Sequence, residues 1–357
     1  MIRRLHTWLS LFLGVLVAVV AVTGTVAVFK ADLDRWAAGA VPGASAPSAP
    51  RAPALAVVRE HVPGARIAGL ECQPGLDAWT LRESEVAWTV YTDPATGAWR
   101  GTTRDSTLAA VVRGTAQFHH DLWLKPLGEW LVGLAGVALL VLMVTGAALW
   151  WPGLGRLGWI WTWRWPHPRL GWYDLHRHLG LAGLVLLPLV TVTGLLYAFP
   201  SWRPVVHRAL GGTAEDRPLA LRPPTERPRA RGTGPALGWD AVLDLARTTI
   251  PEATPLGVLP PRPKDEHATW TVLLDHPGNR SSKGGIALAI DPRGAGVLAR
   301  VDPRGASPGG WVLNQVWALH TGTWAGRCSQ VLTVLGGLLV PTLLISGVVL
   351  WWRRTHP

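Results

Sequence analysis

Imidazole is the commonest metal ligand among protein side chains, and four of the twelve histidines in this chain fall into a repeated pattern. His6 in RRLHTWLSL is matched 170 residues later by His176 in YDLHRHLGL, and the same offset carries Thr23-Gly24 onto Thr193-Gly194 and Phe29 onto Phe199. His119 in QFHHDLW is matched 201 residues later by His320 in ALHTGTW. That offset carries Trp123 onto Trp324, Gly146 onto Gly347, and Trp150-Trp151 onto Trp351-Trp352. Each of the four lies at or just before the start of a long apolar segment, and no histidine lies inside one. A duplicated pattern of this kind describes two sites with two imidazoles each. Two axial imidazoles on a haem iron leave no open position for a small ligand, so such a site transfers electrons. It needs imidazoles from facing helices and a flat apolar slot, which the interior of a helix bundle supplies.

Competing chemistries fit less well. Structural zinc wants four N or S ligands at short spacings, and neither His119-His120 nor His176-x-His178 is a good zinc pair. Copper is opposed only by the two methionines and the lack of a Met-His cluster. Cys72 and Cys328 are the only cysteines, in no CxxC or CxxCH arrangement, which argues against iron–sulfur clusters and covalently attached haem. A bridge between them is permitted on an oxidising side but not expected. GxSxG, Walker A and a strand-associated GxGxxG are absent. His120 and His178 are neighbours that could substitute as ligands, and His207, just after the third apolar stretch, is a further candidate. Asp121 and Glu129 could orient an imidazole N–H, or be ordinary interfacial carboxylates. Gly24 and Gly194 each lie 18 residues beyond a histidine, on the same helix face. They leave room either for a second porphyrin or for close helix–helix approach.

The elements that must position these groups follow from composition. The chain is 48% hydrophobic and 16% charged, against about a quarter charged for soluble proteins. Four uncharged stretches account for this, at 7–29, 130–152, 179–202 and 329–352, each reaching the ~20 residues that cross a membrane as a helix. Arg3 and Arg4 precede the first; Arg156, Arg164, Arg169 and Arg177 lie between the second and third; Arg353 and Arg354 follow the fourth. These arginines place both termini and the 153–174 loop on the cytoplasmic side. The first stretch is too long for a signal-peptide core and maps onto the third, so it is expected to be a retained helix. The net charge of +11 reflects arginines at helix ends and in Arg/Pro/Ala loops, and nucleic-acid binding is rejected. No acidic residue sits within a span, which disfavours a proton-coupled carrier.

The unit of span, outer segment, span occurs twice in parallel orientation, the second copy 31 residues longer, with insertions expected in 211–238 and 260–285. Each outer segment opens with a Pro-rich tether, at 41–53 and 222–235. Short helices are predicted at 56–61 and 239–250, and hairpins at 87–99 and 285–301, where Asp-Pro and Gly sit between apolar runs. Each outer segment thus reads as one helix on a three-stranded antiparallel sheet. The full organisation is a span at 1–29, an outer domain at 30–105, a surface helix at 106–125 and a span at 126–152. After the 153–174 loop come a span at 175–202, an outer domain at 203–306, a surface helix at 307–325, a span at 326–352 and a tail at 353–357. Trp159, Trp161, Trp163 and Trp165 read as an interfacial anchor.

The RRLHxWLxL opening with a Thr-Gly near the end of the first span, the DPxTG hairpin, the H-x-x-L-x-L before the second span and the terminal G-x-x-LWWRR resemble the PepSY-associated transmembrane helix family. Within it, the chain is similar to the bacterial inner-membrane ferric-siderophore reductases, over nearly its whole length. The resemblance implies an α-helical four-span bundle built as a parallel duplicated unit, with two small α+β PepSY-like periplasmic domains. It implies two haem b groups, held by His6 with His176 at the inner face and His119 with His320 at the outer face. It also implies reduction of siderophore-bound ferric iron in the periplasm, with electrons from quinol or a cytoplasmic reductase. FHHDL departs from the family's more frequent single His followed by Arg, which leaves His119 and His120 as alternatives; the shared offset favours His119. Pairing of the chain with itself stays open. The rival readings are a non-catalytic PepSY-domain protein that binds a peptide or regulates a protease, and a haem or metal transporter. The transporter finds no support in helix features beyond Pro188 and Pro341.

Overall fold

The structure is a computed structural model and describes residues 1–44, 49–84, 86–151, 162–164, 167–219, 228–230, 232–262, 268–281, 283–294 and 296–356. Arg156, Trp159, Trp161, Trp165, His267 and parts of both expected tethers and insertions lie outside the described residues. Along the chain run α1 (Ile2–Val28), α2 (Lys30–Ala37), α3 (Ala52–His61), β1 (Arg66–Gln73), β2 (Leu76–Glu83), β3 (Val86–Thr92) and β4 (Trp99–Thr102). Then come α4 (Thr107–Asp121), α5 (Pro126–Trp150), α6 (Pro168–Ala198), α7 (Arg203–Ala209) and α8 (Trp239–Thr249). The chain ends with β5 (Thr254–Leu259), β6 (Trp270–Asp275), β7 (Ile286–Ile290), β8 (Val297–Val301), α9 (Pro308–Thr321) and α10 (Gly326–Thr355). Contacts divide it into two compact units, Met1–Lys30 with Arg113–Pro200 and Leu319–Pro357, and Ala31–Val112 with Ser201–Ala318.

Among the described residues, the first unit holds four helices long and apolar enough to cross a membrane, at Ile2–Val28, Pro126–Trp150, Leu170–Ala198 and Thr323–Thr355. In hydrocarbon every backbone polar group must be satisfied internally, so an uninterrupted apolar run becomes a helix. α1 and α6 each pack against both α5 and α10, so α1 and α6 face each other across the bundle. Small residues permit the close approach: a methyl at Gly14 of α1 would lie 2.6 Å from Leu344 of α10, and one at Gly136 of α5 2.9 Å from Leu195 of α6. The interior is aliphatic, built on Val17, Ala18, Ala135, Ala138, Met143, Leu187 and Val340. α6 begins seven residues before the expected start at 175. Hydropathy marks only the apolar part of a helix, and the added polar turns are anchored by Asp174, which accepts from Arg164 at its backbone N (2.9 Å), Nε (2.9 Å) and Nη2 (2.7 Å).

The second unit corrects the expectation of two separate three-stranded sheets. Its strands form one eight-stranded antiparallel sheet in the order β4-β3-β2-β1-β5-β6-β7-β8. The join is the antiparallel pair of β1 with β5, Leu70 opposite Val258 and Glu71 opposite Gly257. Each segment alone would leave that strand as an open edge, and pairing the two edges removes both. One apolar core follows, in which Val58, Trp79, Leu81 and Val90 of the first segment pack with Trp239, Leu243, Ile250, Val272 and Leu288 of the second. α3 is capped across the join by Asp240 of α8, which accepts from the backbone N–H groups of Arg51 (2.5 Å) and Ala52 (3.0 Å). Inside this unit Arg51 and Asp77 form a buried ion pair at 2.6 Å. The expected hairpins stand at β3–β4 and β7–β8. At the first turn Asp93 accepts from the N–H groups of Ala95 (2.9 Å) and Thr96 (3.0 Å), as Asp-Pro turn chemistry requires. Cys72 and Cys328 are both free.

Candidate functional site

The first unit brings the repeat-related histidines together in two pairs. His6 of α1 and His176 of α6 face each other with ring centroids 6.4 Å apart and planes at 89°. His119, in the last turn of α4, and His320, in the last turn of α9, stand 6.2 Å apart with planes at 32°. Two imidazoles binding one metal through Nε2 from opposite sides, each at about 2.0 Å, stand with centroids roughly 6.3 Å apart. Both separations match that figure.

The outward nitrogen of every ring is occupied. His6 Nδ1 lies 2.8 Å from Thr145 Oγ1. That hydroxyl gives its own proton to the carbonyl of Val141 at 2.7 Å, so the imidazole is the donor. His176 Nδ1 lies 2.9 Å from Ser346 Oγ, whose hydroxyl donates to Leu343 O at 3.1 Å. His119 Nδ1 donates to the backbone carbonyl of Val20 at 2.8 Å, and His320 Nδ1 to that of Val190 at 3.1 Å. A carbonyl can only accept, so these two tautomers are fixed as well. With the proton on Nδ1, Nε2 keeps its lone pair. Orienting a ligand imidazole through its other nitrogen is the usual support of a metal–histidine bond.

Four glycines make the approach of the rings sterically feasible. A methyl at Gly24 would lie 2.8 Å from His119 Cε1, and one at Gly194 3.0 Å from His320 Cε1. At Gly146 it would lie 3.3 Å from His6 Cε1, and at Gly347 3.4 Å from His176 Cε1. Gly24 and Gly194 therefore make room for imidazoles carried by neighbouring helices, the close helix approach that is one of the two uses expected for them. Each glycine follows a hydroxyl residue: Thr23, Thr145, Thr193 and Ser346. Thr145 and Ser346 accept the proton of one pair, and Thr23 bonds the same Val20 carbonyl that serves His119, at 3.0 Å. Thr193 does so at Val190, at 3.1 Å, and its oxygen also lies 3.3 Å from His320 Nδ1.

Burial lowers the pKa of His119 and brings that of His320 down to about 4, with the neighbouring imidazole of His119 adding to the effect at His320. Both rings are therefore neutral at physiological pH, the state in which imidazole binds a metal. Among the described residues no group of three or more His, Cys, Asp or Glu side chains could hold a metal ion. A donor set of two neutral imidazoles suits a metal whose other ligands come with it, as a porphyrin provides.

The alternative ligands lie elsewhere. His120 is exposed, with Nδ1 4.0 Å from Glu129. His178 donates from Nδ1 to the carbonyl of Asp174 at 2.6 Å and lies against Trp163. His207 belongs to the second unit, buried, with Nε2 2.8 Å from Asp216. Asp121 and Glu129 do not orient the ligand rings: Asp121 accepts from the N–H of Trp123 at 2.8 Å. The groups that sequence reasoning missed are Thr145, Ser346 and the carbonyls of Val20 and Val190. The pair spacing held the signal, since Thr145 and Ser346 are 201 positions apart and Val20 and Val190 are 170 apart.

Comparison with protein families finds that the family described as PepSY-associated TM region matches residues 3–354. Among curated proteins no match is found.

Proposed function

The chain belongs to the PepSY-associated TM region family and is a multi-pass membrane protein, and from that premise we propose that it is a dihaem oxidoreductase. In this reading it passes electrons across the bacterial inner membrane to a ferric siderophore, releasing ferrous iron for uptake. The observation that carries the reading is the pairing of four Nδ1-anchored imidazoles at 6.4 and 6.2 Å. The parallel duplication of the bundle is supported by the two offsets, which relate the Nδ1 acceptors and the glycines as well as the histidines.

With the arginine-rich segments cytoplasmic, His6 and His176 lie at the inner face and His119 and His320 at the outer face, with residues 30–125 and 203–325 in the periplasm. His6 with His176, and His119 with His320, would hold the two haem groups, each through Nε2. When bound, each haem would supply one-electron transfer. Thr145, Ser346 and the carbonyls of Val20 and Val190 hold the Nδ1 protons and so keep the lone pairs aimed between the rings. The aliphatic interior around Val17, Ala138 and Leu187 keeps water from the path. Each ferric ion takes up one electron; a quinol, losing two electrons and two protons, or a cytoplasmic reductase supplies them.

The test is to purify the full chain in detergent, reduce it chemically, and mix it with a ferric hydroxamate and a colorimetric ferrous chelator. Reoxidation of the haem bands together with ferrous capture is the expected result, and the His119→Ala/His320→Ala variant should lose the capture. A colourless preparation that binds peptide instead favours the rival reading of a non-catalytic PepSY-domain protein.

A further inference from the structure

The end of the bundle that carries His6 and His176 presents one sign of charge. α1 and α10 run antiparallel, with Gly14 against Leu344 and Gly337 against Thr25, so Arg3 and Arg4 stand at the same end as Arg353 and Arg354. Gly146 of α5 meets His6 there, and Gly347 of α10 meets His176 of α6. Residues 1–6, 151–178 and 350–357, which lie at this end, hold eight arginines and a single carboxylate, Asp174. That carboxylate is fully buried. Arg164 covers it with donors at 2.9, 2.9 and 2.7 Å, and Arg177 Nη2 stands 3.4 Å away. Arg3, Arg4 and Arg354 are exposed. At the other end of the same unit the signs are mixed, with the half-exposed Glu129 side chain near exposed His120 and Lys125.

Orientation in a bilayer is set by cations and is nearly indifferent to Asp and Glu, so it does not account for a surface cleared of carboxylates. Exposed Trp8 and Trp352 mark the headgroup level, and the terminal arginines lie beyond them along α1 and α10. We propose that this end is a docking face for a soluble one-electron donor protein whose redox group is ringed by carboxylates. The inference rests on the dihaem reading and names its electron source. A cationic rim around the His6–His176 pair steers an acidic partner to it, through fields that salt screens. Each encounter passes one electron: an iron–sulfur cluster in the donor is oxidised by one, the iron between His6 and His176 is reduced by one, and no proton moves.

The experiment places the haem-loaded full chain in phosphatidylcholine nanodiscs, which leave both faces accessible. A dye-labelled acidic [2Fe–2S] protein is the probe. Its binding is titrated, and haem reduction by its reduced form is followed by stopped flow. Wild type is compared with Arg3→Gln/Arg4→Gln/Arg354→Gln and, at the other end, Lys125→Gln. Affinity should fall about tenfold or more between about 20 and 200 mM salt. The triple variant should lose about tenfold in affinity and in reduction rate at low salt with its haem spectrum unchanged, and Lys125→Gln should behave as wild type. Absent binding, or equal affinity in all three proteins, would overturn the inference. So would binding that disappears when phosphatidylglycerol is mixed into the discs, which assigns the arginines to lipid headgroups. A haem-loaded chain that ignores the probe leaves the dihaem reading standing, whereas a chain without haem sinks that reading and this inference with it.

Discussion

At Gly24 the space a side chain would occupy is already taken by an imidazole. The methyl-to-ring distances rank the four cradles, 2.8 Å at Gly24, 3.0 Å at Gly194, 3.3 Å at Gly146 and 3.4 Å at Gly347. Gly24→Ala and Gly194→Ala should therefore displace His119 and His320 and weaken haem retention at that pair by about 1–3 kcal/mol, the usual cost of overpacking. Gly146→Ala and Gly347→Ala should retain haem close to the wild-type level. Haem per chain after gel filtration measures this, and four alanine variants that behave alike would remove the cradle role. The histidines and their glycines were legible in the sequence because duplication left them at two shared offsets. Their proton acceptors were not, because two are main-chain carbonyls, which carry no residue identity. Thr145 and Ser346 lie inside apolar stretches and differ from one another in type. Charge drew attention to Asp121 and Glu129, but the acceptor is whatever the facing helix presents at the right height.

At the scale of elements, the junction from α4 to α5 carries strain that its counterpart avoids. Leu122, Trp123 and Lys125 all have positive φ, at 51°, 59° and 52°, and Lys125 has ψ of −126°. Gly326, 201 positions later, holds nearly the same conformation, with φ 69° and ψ −147°. Lys125→Gly is therefore expected to stabilise the protein by about 1 kcal/mol, the relieved strain exceeding the added freedom of the unfolded chain. A lower thermal midpoint would count against this. At the β3–β4 hairpin, Asp93 is held at about 2, first by its hydrogen bond from Arg100 and then by the turn N–H groups, against the opposing effect of burial. Its folded value lies below its unfolded value, so its contribution is complete above about pH 4 and is lost as the pH falls towards 2. Arg100 is partly exposed, which discounts the contribution to about 1–2 kcal/mol. Wild type should lose stability more steeply than Asp93→Asn between pH 4 and 2 in urea titrations followed by tryptophan fluorescence. Parallel slopes would remove the role. The spans and both Asp-Pro hairpins were legible because each is a local pattern. β1, β2, β5 and β6 were not, because their pairing is decided by partners far away in sequence.

For the whole molecule, the distinction between two domains and one is a matter of edges. Both outer segments carry their own helix and hairpin, as their composition indicates, yet β1 and β5 complete a single sheet with one core, and Asp240 caps a helix of the other segment. No local pattern announces a join between strands that lie almost two hundred residues apart. The histidine pairs depend on long range in the same way, but there the duplication supplied the register that the strands lacked. The most direct test of the dihaem reading is a reduced-minus-oxidised spectrum with pyridine haemochrome quantification on the purified chain. Two b-type haems per chain are expected, one remaining in His6→Ala/His176→Ala, one in His119→Ala/His320→Ala, and none when all four histidines are replaced. A colourless wild-type protein, or two haems retained after all four replacements, is incompatible with it.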